Sequence, residues 1–357
     1  MDVQRLLNDI HELSDLELAV LLSLIVRGHC LISTEDVLID DLASELALIV
    51  SERLGLSYVV LESDDCSNIE TFNSAILEEK GTQFTSDYDD QQSGSLKARL
   101  DSLDIRAAPR PGDKDVADDS RMIKNVIIAK GFNSAHEHVQ VQAIEIIENR
   151  RVLSHTTVHI TPKTFLFIPL VTNSSRDVRL ISHLNDRISI SHSHAAGDGF
   201  ANLEELDDTF ECGSGHNRLS WESAQVDRRI GKETIDTIRD MSEKVTYTPE
   251  VRRYMQDIVT FMRMDRSVDG GITPRASANF VQLAKCLATL HGINFITPSL
   301  ATLAARKVYP HRLILAEPAR ERSMQYGSDL KIIEELLDGI TPWEAIENVL
   351  RLVPCPI

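Results

Sequence analysis

The sequence predicts an α/β fold, a parallel sheet with helices on both faces, followed by an all-α C-terminal domain. Three observations carry this. Near the N-terminus the apolar run His29-Cys30-Leu31-Ile32 leads through polar residues into a helical pattern from Leu38 to Leu54. Gly55 closes that pattern before a second strand-type run, Tyr58-Val59-Val60-Leu61. Strand, helix and strand so spaced form a βαβ unit, and such units build parallel sheets. Further on, Asn125-Val126-Ile127-Ile128-Ala129 and Thr164-Phe165-Leu166-Phe167-Ile168 read as buried strands, with an apolar helical face from Val139 to Ile147 between them. From Thr248 the period is helical to the end, and Gly270-Gly271, Gly292 and Pro298 separate the helices.

The remaining elements follow in order. Leu16 to Val26 has apolar residues at helical spacing and should form a helix ending near Gly28. Residues from about Thr82 to Ser120 are polar and rich in Asp, Ser, Gly and Pro, the composition of a long surface excursion. Gly197 to Gly231 is again loop-like. The expected organisation is an α/β core over residues 1–200, a loop-rich linker over 201–245 and a helical lid over 246–357. No internal repeat is evident.

Bulk properties narrow the function. A hydrophobic fraction of 42% with 26% charged residues suits a chain that buries a substantial core. The net charge of -18 argues against nucleic acid or an anionic membrane as partner, since both are held by basic surface. Five scattered cysteines without CxxC spacing fit a reducing compartment better than a disulfide framework or zinc cluster. The N-terminal MDVQRLLNDIHEL has no basic start leading into an apolar stretch, so no signal peptide is expected, and the longest apolar run is about half a membrane span. The expected location is the cytoplasm, with the nucleus as the alternative.

The middle of the chain carries a family resemblance. Val126-Ile127-Ile128-Ala129-Lys130-Gly131-Phe132-Asn133-Ser134-Ala135, followed by the helix around Gln142 and Glu148, resembles the Walker B strand and next helix of MoxR-type and magnesium-chelatase AAA+ ATPases. Asn133, Ala135, Gln142, Glu148 and Arg151 keep that frame, but Ala129 and Lys130 stand where the family has Asp-Glu. Leu184-Asn185-Asp186-Arg187-Ile188 resembles the family's Leu-Asp-Arg-Phe motif, and Thr273-Pro274-Arg275-Ala276 its Ser-Pro-Arg-Ala motif at the start of a lid helix. Gly28-His29-Cys30-Leu31-Ile32 looks like the strand that precedes the family's P-loop. The resemblance spans roughly residues 16–315 and is nearest to a short fungal-type, magnesium-chelatase-like branch. It implies a P-loop-NTPase-like sheet, an AAA lid, and assembly into a homo-oligomer or with related AAA+ subunits. It further implies an arginine acting in trans at Arg187, a phosphate sensor at Arg275 and a sensor position at Asn173.

The chemistry of nucleotide hydrolysis, however, lacks its residues. A P-loop wraps phosphates in backbone N–H groups freed by glycines, with a lysine neutralising the β and γ oxygens. Here the corresponding residues are Ser33-Thr34-Glu35-Asp36-Val37-Leu38-Ile39-Asp40-Asp41, with neither glycine nor lysine but with four carboxylates. Those nearest the helix start would cap its dipole themselves. The Walker B acids hold magnesium and position water; Ala129 supplies no ligand, and Lys130 places a cation at the metal's position. The expected function is a non-hydrolysing assembly or regulatory subunit with no catalytic residue and no cofactor. The alternative is an atypical ATPase that binds ATP and magnesium through non-standard residues such as Lys130. Each arginine also has a plain reading: Arg187 paired with Asp186 or another acid, and Arg275 exposed in a helix's first turn. The metal-ligand candidate is His192 with His194, whose imidazoles share one strand face, together with His183 and Asp198. His136-Glu137-His138 lacks metalloprotease spacing, Gly213-Ser214-Gly215 is no nucleophile elbow, and Cys212 with His216 lacks an orienting third group.

Overall fold

The structure is a computed structural model that describes residues 13–78, 122–153, 158–172, 180–204 and 229–356. The long polar excursion and most of the expected linker therefore lie outside the described residues.

Helix α1, Asp15–Val26, starts at a capping box: Ser14 Oγ accepts the Glu17 N–H, and the Glu17 carboxylate accepts the Ser14 N–H at 2.9 Å. Most of its residues are buried, because it packs against the sheet on one side and lid helices on the other. Strand β1, Cys30–Thr34, follows, then a 3₁₀ turn at Asp36–Leu38 and helix α2, Ile39–Leu48, which continues into a π turn at Ile49–Arg53. The expected helical span of Leu38 to Leu54 is thus met by three helical types in succession, the end of the 3₁₀ turn, an α-helix and a π turn. Next come β2 (Tyr58–Leu61), α3 (Ile69–Ile76), the short strands β3 (Leu77–Glu78) and β4 (Met122–Ile123), β5 (Val126–Ala129) and α4 (Glu137–Asn149). A hairpin of β6 (Arg151–Leu153) and β7 (Val158–Ile160) leads to β8 (Leu166–Thr172), α5 (Ser182–Arg187) and β9 (Ile190–Ser193).

Five strands form one sheet in the order β2-β5-β8-β1-β9, with every neighbouring pair parallel. Side chains alternate between its faces, as pleating requires. Cys30, Ile32, Val126, Ile128, Leu166, Ile168 and Ile190 pack into one core with α1, α2 and the lid helices. Leu31, Ile127, Ala129 and Phe167 face the other core, built with α3, α4 and α5.

The C-terminal region contains α6 (Lys232–Glu243), α7 (Pro249–Met264), α8 (Pro274–Leu290), α9 (Pro298–Val308), α10 (Leu330–Leu337) and α11 (Pro342–Leu352). Helix α6 falls in the stretch expected to be linker; its Ile235 and Ile238 are buried against the main core. Four of these helices share one starting device, a threonine followed by proline. Thr248, Thr273, Thr297 and Thr341 each accept a backbone N–H three residues on, and the proline fills a position whose N–H needs no partner. The region is not wholly helical: β10 (Val268–Gly270) and β11 (Ile314–Leu315) pair antiparallel as a small ribbon.

Two histidines are folded into this scaffold as neutral groups. His29 Nδ1 accepts the Phe167 N–H at 3.0 Å, and burial, aided by the charge of Arg150, lowers its pKa to about 3. Burial, then the charge of Arg312, lowers His311 to about 3 as well. Released in the unfolded chain, both would titrate near their ordinary value of 6.5. The unfolded state then binds more protons below that pH, so this stability is present above it and lost as pH falls towards 3. The expected slope is about 1.4 kcal/mol per pH unit for each histidine. Urea midpoints between neutral and acid pH measure it, and His29→Asn, which retains an acceptor, should flatten the curve. An unchanged slope in that variant would refute the assignment.

Candidate functional site: the crevice at the carboxyl ends of the strands

In an open parallel α/β sheet, ligand crevices lie beyond the carboxyl ends of the strands, where strand order reverses. Here the order reverses at β1, whose neighbours β8 and β9 both come later in the chain. The residues that follow β1, β2 and β5, with the end of β8, enclose a crevice of about 280 Å³ lined by Asp36, Asp40, Glu62, Lys130, Asn133 and Thr172, among others.

Lys130 is its centre. The Nζ donates to Glu62 Oε1 at 2.7 Å and to Asp40 Oδ1 at 2.9 Å, and the side chain is only 14% exposed. Burial alone would lower its pKa and is the largest single influence. The bonds to Glu62 and Asp40 together outweigh it, so the pKa is raised and the ammonium stays charged. With Asp36, three carboxylates face one ammonium in this crevice. Ala129, directly before, is fully buried in the apolar layer beneath. Asn133 Nδ2 approaches Thr172 Oγ1 at 3.5 Å, while its Oδ1 is buried without a partner.

The residues after β1 behave differently from one expectation. Glu35 and Asp36 are exposed, and no side chain caps either the 3₁₀ turn or α2 by a hydrogen bond. The intervening 3₁₀ turn shifts the helix start to Ile39, and the nearby carboxylate of Asp40 turns to Lys130 instead. Ser33 Oγ lies 3.4 Å from the carbonyl of His192, and Thr34 is buried with its hydroxyl unpaired.

The two arginines expected near the nucleotide lie at the junction of core and lid. Arg187 pairs with Glu148 of α4 rather than with Asp186, and burial, then the charge of Arg275, lowers its pKa. Arg275 Nε is 3.7 Å from Asp186 Oδ2 and is exposed, as its plain reading requires. Asp186, expected from the sequence only as a partner for Arg187, is instead a hub. Its Oδ1 accepts from Arg312 at 2.9 Å and from the Thr273 hydroxyl at 2.5 Å. Arg312 is buried and also donates to the Ile188 carbonyl, while Asn185 donates to the His311 carbonyl. The Leu184–Ile188 segment therefore ties the sheet to the lid on its own side chains. Asn173 lies outside the described residues, as do Cys212, His216 and residues 213–215.

His192, in β9, and His194, just past its end, are both buried, with ring centroids 6.3 Å apart and unpartnered Nε2 atoms. His192 Nδ1 lies 3.4 Å from Lys307 Nζ; burial and then that charge lower its pKa to about 4. His194 packs on Phe200, and its Nδ1 is 4.0 Å from Asp198. His183 is exposed on α5. Among the described residues no group of three His, Cys, Asp or Glu side chains is placed to hold a metal ion.

The class follows from fold and lid together. A solved structure, "a putative ATPase" from Cytophaga hutchinsonii, superposes with a TM-score of 0.64 at 14% identity, covering 99% of this chain and 95% of that one. Residues 260–335 match the model of the AAA lid domain. The chain therefore has the fold of that ATPase, with a stretch similar to the AAA lid domain, in line with the fold class its motifs led us to expect. Among curated proteins it is similar to Maintenance of telomere capping protein 2 of Kluyveromyces lactis, at 33% identity over 93 residues, 25% of this chain and 34% of that protein. The protein of that name from Lachancea thermotolerans is 27% identical over 116 residues, 31% of this chain and 41% of its own length. The chain thus matches well under half the length of these relatives. Among the described residues no helix is long and apolar enough to cross a membrane.

Proposed function

We propose that this chain is an AAA+ module whose nucleotide site has been closed by its own side chains, and that it serves as a non-hydrolysing assembly or regulatory subunit. One observation carries the reading: Lys130 is held by Asp40 and Glu62 in the crevice where this fold would seat a magnesium nucleotide. Three carboxylates in that crevice repel a triphosphate, and the segment after β1 has no glycine to let backbone N–H groups curl around phosphate. An atypical ATPase would need Lys130 to leave both partners for a γ-phosphate. Each of those pairs is worth only about 0–1 kcal/mol, because Asp40 and Glu62 are largely exposed. The electrostatic cost of the unpaired carboxylates beside the phosphates is the larger obstacle.

The shared fold and the match to the AAA lid domain support partnership with copies of this chain or with related AAA+ subunits. Arg187, occupied by Glu148 in the single chain, would have to exchange that partner to reach a neighbour's nucleotide. The relatives' name concerns telomere capping, which makes a nuclear assembly the first setting in which to seek partners.

The test is equilibrium binding of a fluorescent ATP analogue with and without magnesium. We expect no turnover and no saturable binding that depends on magnesium or on Lys130. Magnesium-dependent binding or hydrolysis that disappears in Lys130→Ala would overturn the proposal.

A further inference from the structure

The opposite end of the sheet has the reverse charge. The residues leading into β5 and β8, the ends of α1 and α4, and helix α6 enclose a cleft of about 770 Å³. Five cations line it, Arg27, Arg150, Lys163, Lys232 and Arg239, against the single carboxylate of Asp236, in a chain of net charge -18. Asp236 is already paired with Arg239, which also donates to the carbonyls of Leu24 and Ile25. Arg150 donates to the Lys163 carbonyl at 3.2 Å. Among the described residues, no carboxylate forms an ion pair with Arg27, Arg150, Lys163 or Lys232.

Two of these cations occupy backbone positions that disfavour them. Arg27 and Arg150 end α1 and α4 at φ 56 and 53, and they are the only non-glycine residues with positive φ among those described. That cap position is ordinarily glycine, which adopts it without a Cβ clash. Helix termination explains the conformation but not the choice of arginine, made twice around one cleft. Non-glycine residues held in such sparsely populated conformations cluster at ligand sites and active sites. A third observation is independent of charge: Thr161 lines the same cleft, is 6% exposed, and has a hydroxyl without a hydrogen-bond partner.

We propose that this cleft is a binding site for a small, multiply phosphorylated anion. The guanidinium groups of Arg27 and Arg150 suit bidentate contact with phosphate oxygens; Lys163 and Lys232 add charge, and the Thr161 hydroxyl completes the donor set. The concave shape and the acidic remainder of the chain favour a small ligand over a nucleic-acid backbone, which requires an extended basic surface.

The experiment is calorimetric titration of the full chain with inorganic tripolyphosphate in magnesium-free buffer. Saturable binding is expected, and Arg27→Gly with Arg150→Gly should weaken it about tenfold or more. Because glycine relieves both caps, that double variant should melt no lower than the parent, so loss of binding cannot be ascribed to loss of fold. Lys163→Ala, an exposed position, should weaken binding as well, while Lys130→Ala should leave it unchanged. Absence of binding, binding indifferent to the glycine variants, loss of binding in Lys130→Ala, or displacement of tripolyphosphate by duplex DNA would each overturn the proposal. The Lys130→Ala arm keeps the two sites apart: loss of binding there would assign the anion to the strand-end crevice, whereas loss confined to the glycine variants assigns it to the basic cleft.

Discussion

Asp186→Ala should destabilise the folded chain by about 3 kcal/mol, measured by urea denaturation at neutral pH. Arg312 is 3% exposed, and burial holds its pKa down at about 10 against the opposing pull of Asp186. Removing the carboxylate leaves a buried guanidinium whose remaining acceptor among the described residues is the neutral Ile188 carbonyl, with the Arg275 cation nearby, and breaking such a pair from one side costs about 3–5 kcal/mol. The lower end applies because Asp186 is itself 28% exposed. The same change frees the Thr273 hydroxyl, which otherwise donates to Asp186 while capping α8. The loss should therefore appear first in the lid, as faster amide exchange in α8 and the β10–β11 ribbon. A cost below about 1 kcal/mol, the range of an exposed pair, would show that Arg312 is solvated after all.

Gly271→Ala should be at least as damaging, by about 3 kcal/mol or more. Gly271 has φ 95, and a Cβ there would lie 1.9 Å from the carbonyl oxygen of Arg312. Backbone cannot yield as a side-chain tip can, so the two strands of the ribbon, which Gly271 and Arg312 flank, must part. Gly270→Ala is the internal control: the nearest atom to its added Cβ is Ile314 Cδ1 at 3.9 Å, an ordinary contact, and a change within about 0.5 kcal/mol is expected. Equal effects at the two positions would refute the argument. Because Gly271 meets the backbone of Arg312 and Asp186 its side chain, the two severe variants should not be additive when combined.

These two junction residues mark how far the sequence could be read. The strands announced themselves, since Val126 to Ala129 and Leu166 to Ile168 are apolar runs that only a sheet covered on both faces accommodates. The βαβ order, the lid and the unusual pair Ala129-Lys130 were legible for the same reason: they are local patterns of residue type. The four Thr-Pro helix starts are equally local patterns.

What pairs with what was not local. Glu62 was invisible as a partner of Lys130, because parallel pairing of β2 with β5 brings together residues 68 positions apart. Glu148 as partner of Arg187, and Asp186 as the anchor of Arg312, depend likewise on how α4, α5 and the lid meet. The basic cleft gathers residues from five separate stretches of an acidic chain, and neither composition nor spacing hints at it. By itself the sequence determined the elements, their order and the residue types at the strand ends. Only the tertiary structure decided which charges neutralise one another, because Coulombic and hydrogen-bond energies depend on distances that chain folding sets and sequence separation does not.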